Sequence, residues 1–268
     1  MKTRLLITTL AALGLAVSSS AQTVYEGFDY TGIAPQDELG GDTNGGSGWS
    51  GAWSTGSNSY TVTTSGSLSF GSLQTSGNAI IGQNGAVDLV SRDLSSSYGD
   101  GDSFWISFLA AADATDPGNR HQLRMRNSSG DDLFNFELLR NSGGIALDGT
   151  LLSQDTSDVS LGSTARLLVA NISFDSGGTS TAQYWIDPTG LGGASPTGSA
   201  YDSGSLTLSS VGTVSNIELF SSDGVSSFDE IRLGDTFASV TPIPEPSSFA
   251  LLAGVLGLSL VMLRRRRA

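Results

Sequence analysis

The chain has 268 residues, including 35 Gly, 11 Phe, 4 Trp, a single His and no Cys. The missing cysteines exclude a disulfide framework, a thiol nucleophile and a zinc-thiolate site, and the lone His121 excludes His-based metal clusters and leaves at most one Ser/His/Asp arrangement. The formal charge of −13 hides a division: Lys2, Arg4, Arg264, Arg265, Arg266 and Arg267 lie in the termini, whereas residues 22–242 hold seven Arg, no Lys and 25 acids, a formal −18 that repels phosphate backbones and excludes nucleic acid as a partner.

Residues 1–21 read as a secretory signal peptide. Lys2 and Arg4 form a charged start, residues 5–17 an apolar run, and Ser19, Ser20 and Ala21 place small residues ahead of a cut between Ala21 and Gln22. Beyond the cut, residues 22–240 show short apolar or alternating runs separated by Gly, Ser, Asn and Asp, with no long stretch of period 3.6, which predicts an all-β body. Residues 40–60 read as a long surface loop around Trp49, Trp53 and Tyr60. These three rings have two readings, a sugar-stacking platform on a polar loop or a plug for one end of the fold.

The clearest alternation runs through Gln122, Leu123, Arg124, Met125 and Arg126, turns at 127–132 and continues through Leu133, Phe134, Asn135, Phe136, Glu137 and Leu138. It predicts an antiparallel hairpin with Leu123, Met125, Phe134, Phe136 and Leu138 on the core face. With its turn near Ser129 and Gly130, Arg124, Arg126 and Glu137 share the outer face as an ion pair, and His121 is a solvated strand end. Further strands are expected at 104–111, 145–152, 165–174, 181–186, 205–208, 216–220 and 228–233, at spacings suited to an antiparallel, jelly-roll-like β-sandwich.

The C-terminal end has three parts. Residues 241–246 form a Pro-rich linker ending in Pro244, Glu245 and Pro246; residues 247–263 are apolar; residues 264–268 are a basic tail of four arginines and Ala268. As a helix, 247–263 would extend about 25 Å, enough for a short membrane span, with the arginines holding its end in the cytoplasm. This tail resembles the PEP-CTERM sorting signal of exported bacterial proteins. The resemblance implies recognition of Pro244, Glu245 and Pro246 by an exosortase, stop-transfer by Arg264, Arg265, Arg266 and Arg267, transient residence in the inner membrane after passage through the general secretion machinery, and release to the cell surface or exopolysaccharide matrix. The body resembles laminin-G-like or concanavalin-A-like sandwiches through residues 25–30, the Gly-Trp-Ser-Gly-Ala-Trp segment 48–53, residues 184–188 and the closing run 228–235.

Sandwiches of this type include glycosidases, which need two carboxylates about 5–9.5 Å apart. Glu137 is flanked at i±2 by Asn135 and Leu139, and Glu218 by Asn216 and Phe220, so neither strand supplies the pair; Asp229 and Glu230 are adjacent and, in a regular strand, point to opposite faces. No catalytic residue and no obligatory cofactor is expected. The metal to retain is structural calcium at Asp100 and Asp102, whose Asp-Gly-Asp spacing matches only the start of a calcium loop and is equally that of a turn. The resulting expectation is a non-enzymatic, exosortase-processed surface or matrix protein, with a carbohydrate-binding module, and then a glycan hydrolase or lyase, as the alternatives.

Overall fold

The computed structural model describes residues 22–30, 38–40, 44–56, 60–63, 65–83, 87–112, 120–139, 143–147, 150–151, 163–174, 179–197, 202–207, 213–222 and 225–244. They form two antiparallel sheets. The larger runs β13 (Asp202–Thr207), β12 (Thr179–Ile186), β11 (Arg166–Phe174), β6 (Ser103–Ala112), β15 (Ser226–Gly234), β4 (Ile80–Ile81) and β3 (Thr61–Val62), with β1 (Gln22–Glu26) also paired to β15. The smaller runs β10 (Thr150–Leu151), β9 (Gly143–Leu147), β8 (Asp132–Leu139), β7 (Arg120–Arg126), β14 (Val214–Ser222), β5 (Val87–Tyr98) and β2 (Ser54–Thr55). Because Gln22 opens β1 opposite Gly234, a cut before Gln22 leaves that strand whole.

Period-two alternation explains the core. Phe104, Ile106, Phe108 and Ala110 of β6 and Leu168, Ala170 and Ile172 of β11 meet Leu123, Met125, Phe134, Phe136, Ile217 and Leu219 of the smaller sheet in one buried cluster. Each large apolar side chain taken out of water there contributes roughly 1.5–3 kcal/mol. The predicted hairpin is present as β7 and β8. Its turn is closed by the Asn127 side chain, which accepts from the backbone N–H of Ser129 and of Asp131 at 2.9 Å each, with Gly130 at φ +87°. A bulge lies between Met125 and Arg126, and the register of the other pairs puts Glu137 opposite Gln122 and diagonal to Arg124.

β5 has no counterpart among the expected strands, and the reason is physical. Its inward positions are Asp88, Val90, Arg92 and Leu94, all buried, and two of the four are charged. An apolar/polar alternation cannot be read where internal partners take the place of apolar neighbours.

The outer face of the larger sheet is covered. Phe237 and Val240 of the single-turn α1 (Phe237–Val240) pack with Leu73, Leu109, Leu167 and Val169 in a second apolar cluster beside Trp105. Thr236 caps this turn by accepting from the Ser239 N–H, while Ser107 Oγ donates to the Val240 carbonyl. The packing continues past residue 240, where the linker was expected to begin. Thr241 is fully buried, Pro242 O accepts from Gln74 N at 2.8 Å, and Ile243 lies against Gly192. Among the described residues no helix is long and apolar enough to cross a membrane; residues 1–21 and 245–268 lie outside them.

Candidate functional site

The three aromatic candidates do not make a platform. Trp53 is 1 % exposed and Tyr60 is fully buried, so neither presents a face to a sugar; Trp49 is half-buried against the same core. The cause is an internal ion pair. Glu26 of β1 binds Arg92 of β5, and both side chains are completely buried. Arg92 Nε donates to Gly51 O at 2.6 Å and Nη2 to Asn44 Oδ1 at 2.9 Å, while its guanidinium carbon lies 5.0 Å from the Trp49 ring centroid and 5.9 Å from that of Trp53. Glu26 also accepts from Phe28 N at 2.8 Å and Trp53 Nε1 at 3.2 Å. The expected surface loop is thus folded inward over a charge it must shield. Close approach there requires Gly48, at φ +79°, where an added Cβ would sit 2.2 Å from Thr23 O.

Asp102 closes the β5–β6 turn by accepting from Gly99 N at 2.8 Å, and Asp100 is exposed in the same turn. The described residues contain no group of three or more His, Asp or Glu side chains placed for a metal. Pro244 is the last described residue, and Glu245, Pro246, Ala21 and Arg264, Arg265, Arg266 and Arg267 lie beyond the described residues. His121 is not a solvated strand end. It is 3 % exposed, points inward, and its Nδ1 lies 2.9 Å from Ser221 Oγ; burial pushes its pKa down to about 4.

Asp229 and Glu230 also depart from expectation. A bulge in β15, with Glu230 at φ +54°, turns both carboxylates toward residues 67–76. Asp229 Oδ2 accepts from Ser67 Oγ at 2.6 Å and Leu68 N at 2.7 Å, while Glu230 accepts from Ser76 N and pairs with Arg232. Burial raises Asp229 to about 8 and pushes Glu230 upward against the pull of Arg232. Together the two carboxylates pin the segment that covers the larger sheet.

The remaining charged constellation lies on the outer face of the smaller sheet, against which no helix or strand of the described structure packs. Register places Asn135, Arg124, Glu218 and Ser91 in one row across β8, β7, β14 and β5, with Ser54 of β2 at its end. Glu218, itself 2 % exposed, accepts from Arg124 Nη1 at 2.9 Å and from Arg126 Nη1. Arg126 Nε also lies 2.8 Å from Asp132 Oδ1, and Arg124 Nε donates to Gln122 Oε1 at 2.7 Å. The Arg124 guanidinium lies over Phe220, 4.1 Å from the ring centroid. Asn216 Nδ2 donates to Asp93 Oδ1 at 2.9 Å, and the hydroxyls of Ser54 and Ser91 are 2.6 Å apart. The result is a paved surface of planar amides, guanidiniums and carboxylates across five strands. Its arginines are visible in sequence as the outward alternation of β7. Their partner Glu218 is 92 and 94 residues away and becomes identifiable only through the β7–β14 register.

No protein-family profile and no curated protein matches this sequence. Solved structures match its fold. An endo-β-1,4-glucuronan lyase from the fungus Trichoderma reesei superposes with a TM-score of 0.53 at 14 % identity, covering 83 % of this chain and 99 % of that one. The metal-free carbohydrate recognition domain of Emp46p aligns at 9 % identity and a TM-score of 0.44, covering 69 % of this chain and 88 % of that one. The Ca2+/Man3GlcNAc-bound exoplasmic/lumenal domain of VIP36 aligns at 11 % identity and a TM-score of 0.39, covering 62 % and 81 %. With the lyase this chain shares its antiparallel two-sheet fold.

Proposed function

We propose that the folded body is a carbohydrate-binding domain whose ligand, a neutral polysaccharide, lies across the outer face of the smaller sheet. The observation that carries this reading is the network in which the part-exposed Arg124, Arg126, Asp132 and Asn216 are held with the buried Gln122 and Glu218, on a face against which no helix or strand of the described structure packs. Planar donors and acceptors held in fixed positions suit the paired hydroxyls of a sugar at small entropic cost. Within the described network the two arginines are matched by Glu218 and Asp132, with Asp93 beside them, leaving no surplus positive charge for uronates, and the acidic body repels anionic chains. A binding role rather than catalysis is supported by the engagement of Glu218, Asp132 and Asp93, each held by an arginine or amide instead of being free to act as a general base.

Affinity electrophoresis of the full chain through gels containing neutral or uronate polysaccharides tests the site. Retardation is expected in a neutral polymer and should fall about tenfold in affinity in Arg124→Met, in keeping with loss of a charged hydrogen-bonding group. Equal retardation of Arg124→Met and wild type would sink the site, and shortening of any polymer would establish the hydrolase or lyase alternative. The domain would reach its ligand by export and exosortase processing. The matching expectation is a surface-bound protein whose mass lacks residues 247–268, measured by intact mass spectrometry; a mature chain still carrying Arg264, Arg265, Arg266 and Arg267 in cells with active exosortase would remove that part of the reading.

A further inference from the structure

Between the sheets, away from the outer-face network, lie Tyr60, Asp88 and Ser226, whose Oη, Oδ1 and Oγ are buried and have no hydrogen-bond partner within 3.5 Å among the described residues. These residues are 0 %, 0 % and 1 % exposed. The three side chains meet beside Gly82, where an added Cβ would lie 2.9 Å from Asp88 Oδ2, 3.2 Å from Tyr60 Cε1 and 3.4 Å from Ser226 Oγ. The other oxygen of Asp88 accepts from Gln83 N, and among the described residues no basic side chain forms a salt bridge with this carboxylate. The Tyr60 phenol interacts with the Ser226 and Ser221 hydroxyls, and Ser221 in turn contacts His121 Nδ1.

A carboxylate removed from water is costly unless a positive charge meets it. Oxygen donors of this kind, one charged and the others neutral, are the ligands that hard cations take, whereas soft metals require sulfur or several imidazoles. We propose that Asp88, Tyr60 and Ser226 form a buried site for one hard metal cation, bound through oxygen and joining β5, the segment before β3 and the start of β15. With a single formal charge among its ligands the site is of the weak class, half-saturated by calcium at roughly 10⁻⁴–10⁻³ M.

Thermal unfolding of the full chain, stripped with chelator and then titrated separately with calcium chloride and with sodium chloride against choline chloride at equal ionic strength, tests this directly. A cation that binds only the folded state raises the Tm saturably. The expected result is such a rise with one of the two cations in wild type and in Asp102→Asn, its loss in Asp88→Asn, and a half-saturation shifted about tenfold upward in Tyr60→Phe, which removes only the phenolic oxygen. No saturable rise with either cation, or an equal rise in Asp88→Asn, overturns the site. Should Asp88→Asn not fold, Tyr60→Phe decides: an unchanged half-saturation overturns the proposal and a weakened one supports it.

Discussion

Replacing Arg92 by methionine should lower the stability of the body by about 3–5 kcal/mol, because it strands the fully buried Glu26 carboxylate without its counter-charge. The loss is larger than a surface ion pair could produce, since Arg92 also satisfies Gly51 O and Asn44 Oδ1 and lies against Trp49 and Trp53. Segment 44–53 should loosen with it, which tryptophan fluorescence would report alongside urea denaturation. Burial raises the Glu26 pKa while Arg92 opposes that rise. The penalty in Arg92→Met should therefore shrink as the pH falls and Glu26 protonates. Replacing both partners, Arg92→Met with Glu26→Leu, should recover much of the loss. A single-variant cost below about 1 kcal/mol would mean that Glu26 is not charged in the folded protein.

Acid should reveal His121 in a similar way. Its folded pKa, near 4, lies below the ordinary value of 6.5, so the folded protein holds it neutral while the unfolded chain protonates first. The stability from keeping it neutral is fully present above pH 6.5 and is lost as the pH falls toward 4, to a total of about 3 kcal/mol. Carboxyls work in the opposite direction. Asp229, with a folded pKa of about 8, and the upward-shifted Glu26, Asp88 and Glu230 contribute stability at low pH that is lost as the pH rises through their folded values. The total profile therefore mixes signs, and the informative quantity is the difference between wild type and His121→Gln, a variant whose amide can still reach Ser221 Oγ. Urea denaturation at pH 7.5 and pH 4.5 should show wild type losing about 2.5 kcal/mol more than the variant on acidification. Parallel losses would place His121 in water, against its 3 % exposure.

The sequence was legible where one side of a strand faces an apolar core. β6, β7, β8, β11, β12, β14 and β15 all appear at or near their expected positions, because Phe104, Ile106, Leu123, Phe134, Leu168 and Leu219 announce their faces by alternation. It was illegible where the core itself is polar. Asp88 and Arg92 disguised a 12-residue strand, and the Gly-, Ser- and Asn-rich segment around Trp53 and Tyr60 read as a surface loop although both rings are interior, as the plug reading has them. The bulge at Glu230 is likewise invisible in a composition rich in strand formers, yet it decides that Asp229 and Glu230 face the same segment.

Length, charge and alternation by themselves determined an acidic all-β body with antiparallel pairing and free of disulfides, because these properties depend on which residue types are present and how they alternate. The tertiary structure alone decided which charges meet. Glu26 with Arg92 are 66 residues apart in the chain, and Arg124 with Glu218 are 94 apart. Pairings at such separations follow from strand order and register, and a shift of one residue would send every side chain of a strand to the opposite face. That is why the aromatic loop turned out to seal an internal ion pair, while the candidate binding surface arose on a face whose central carboxylate the linear sequence had left without partners.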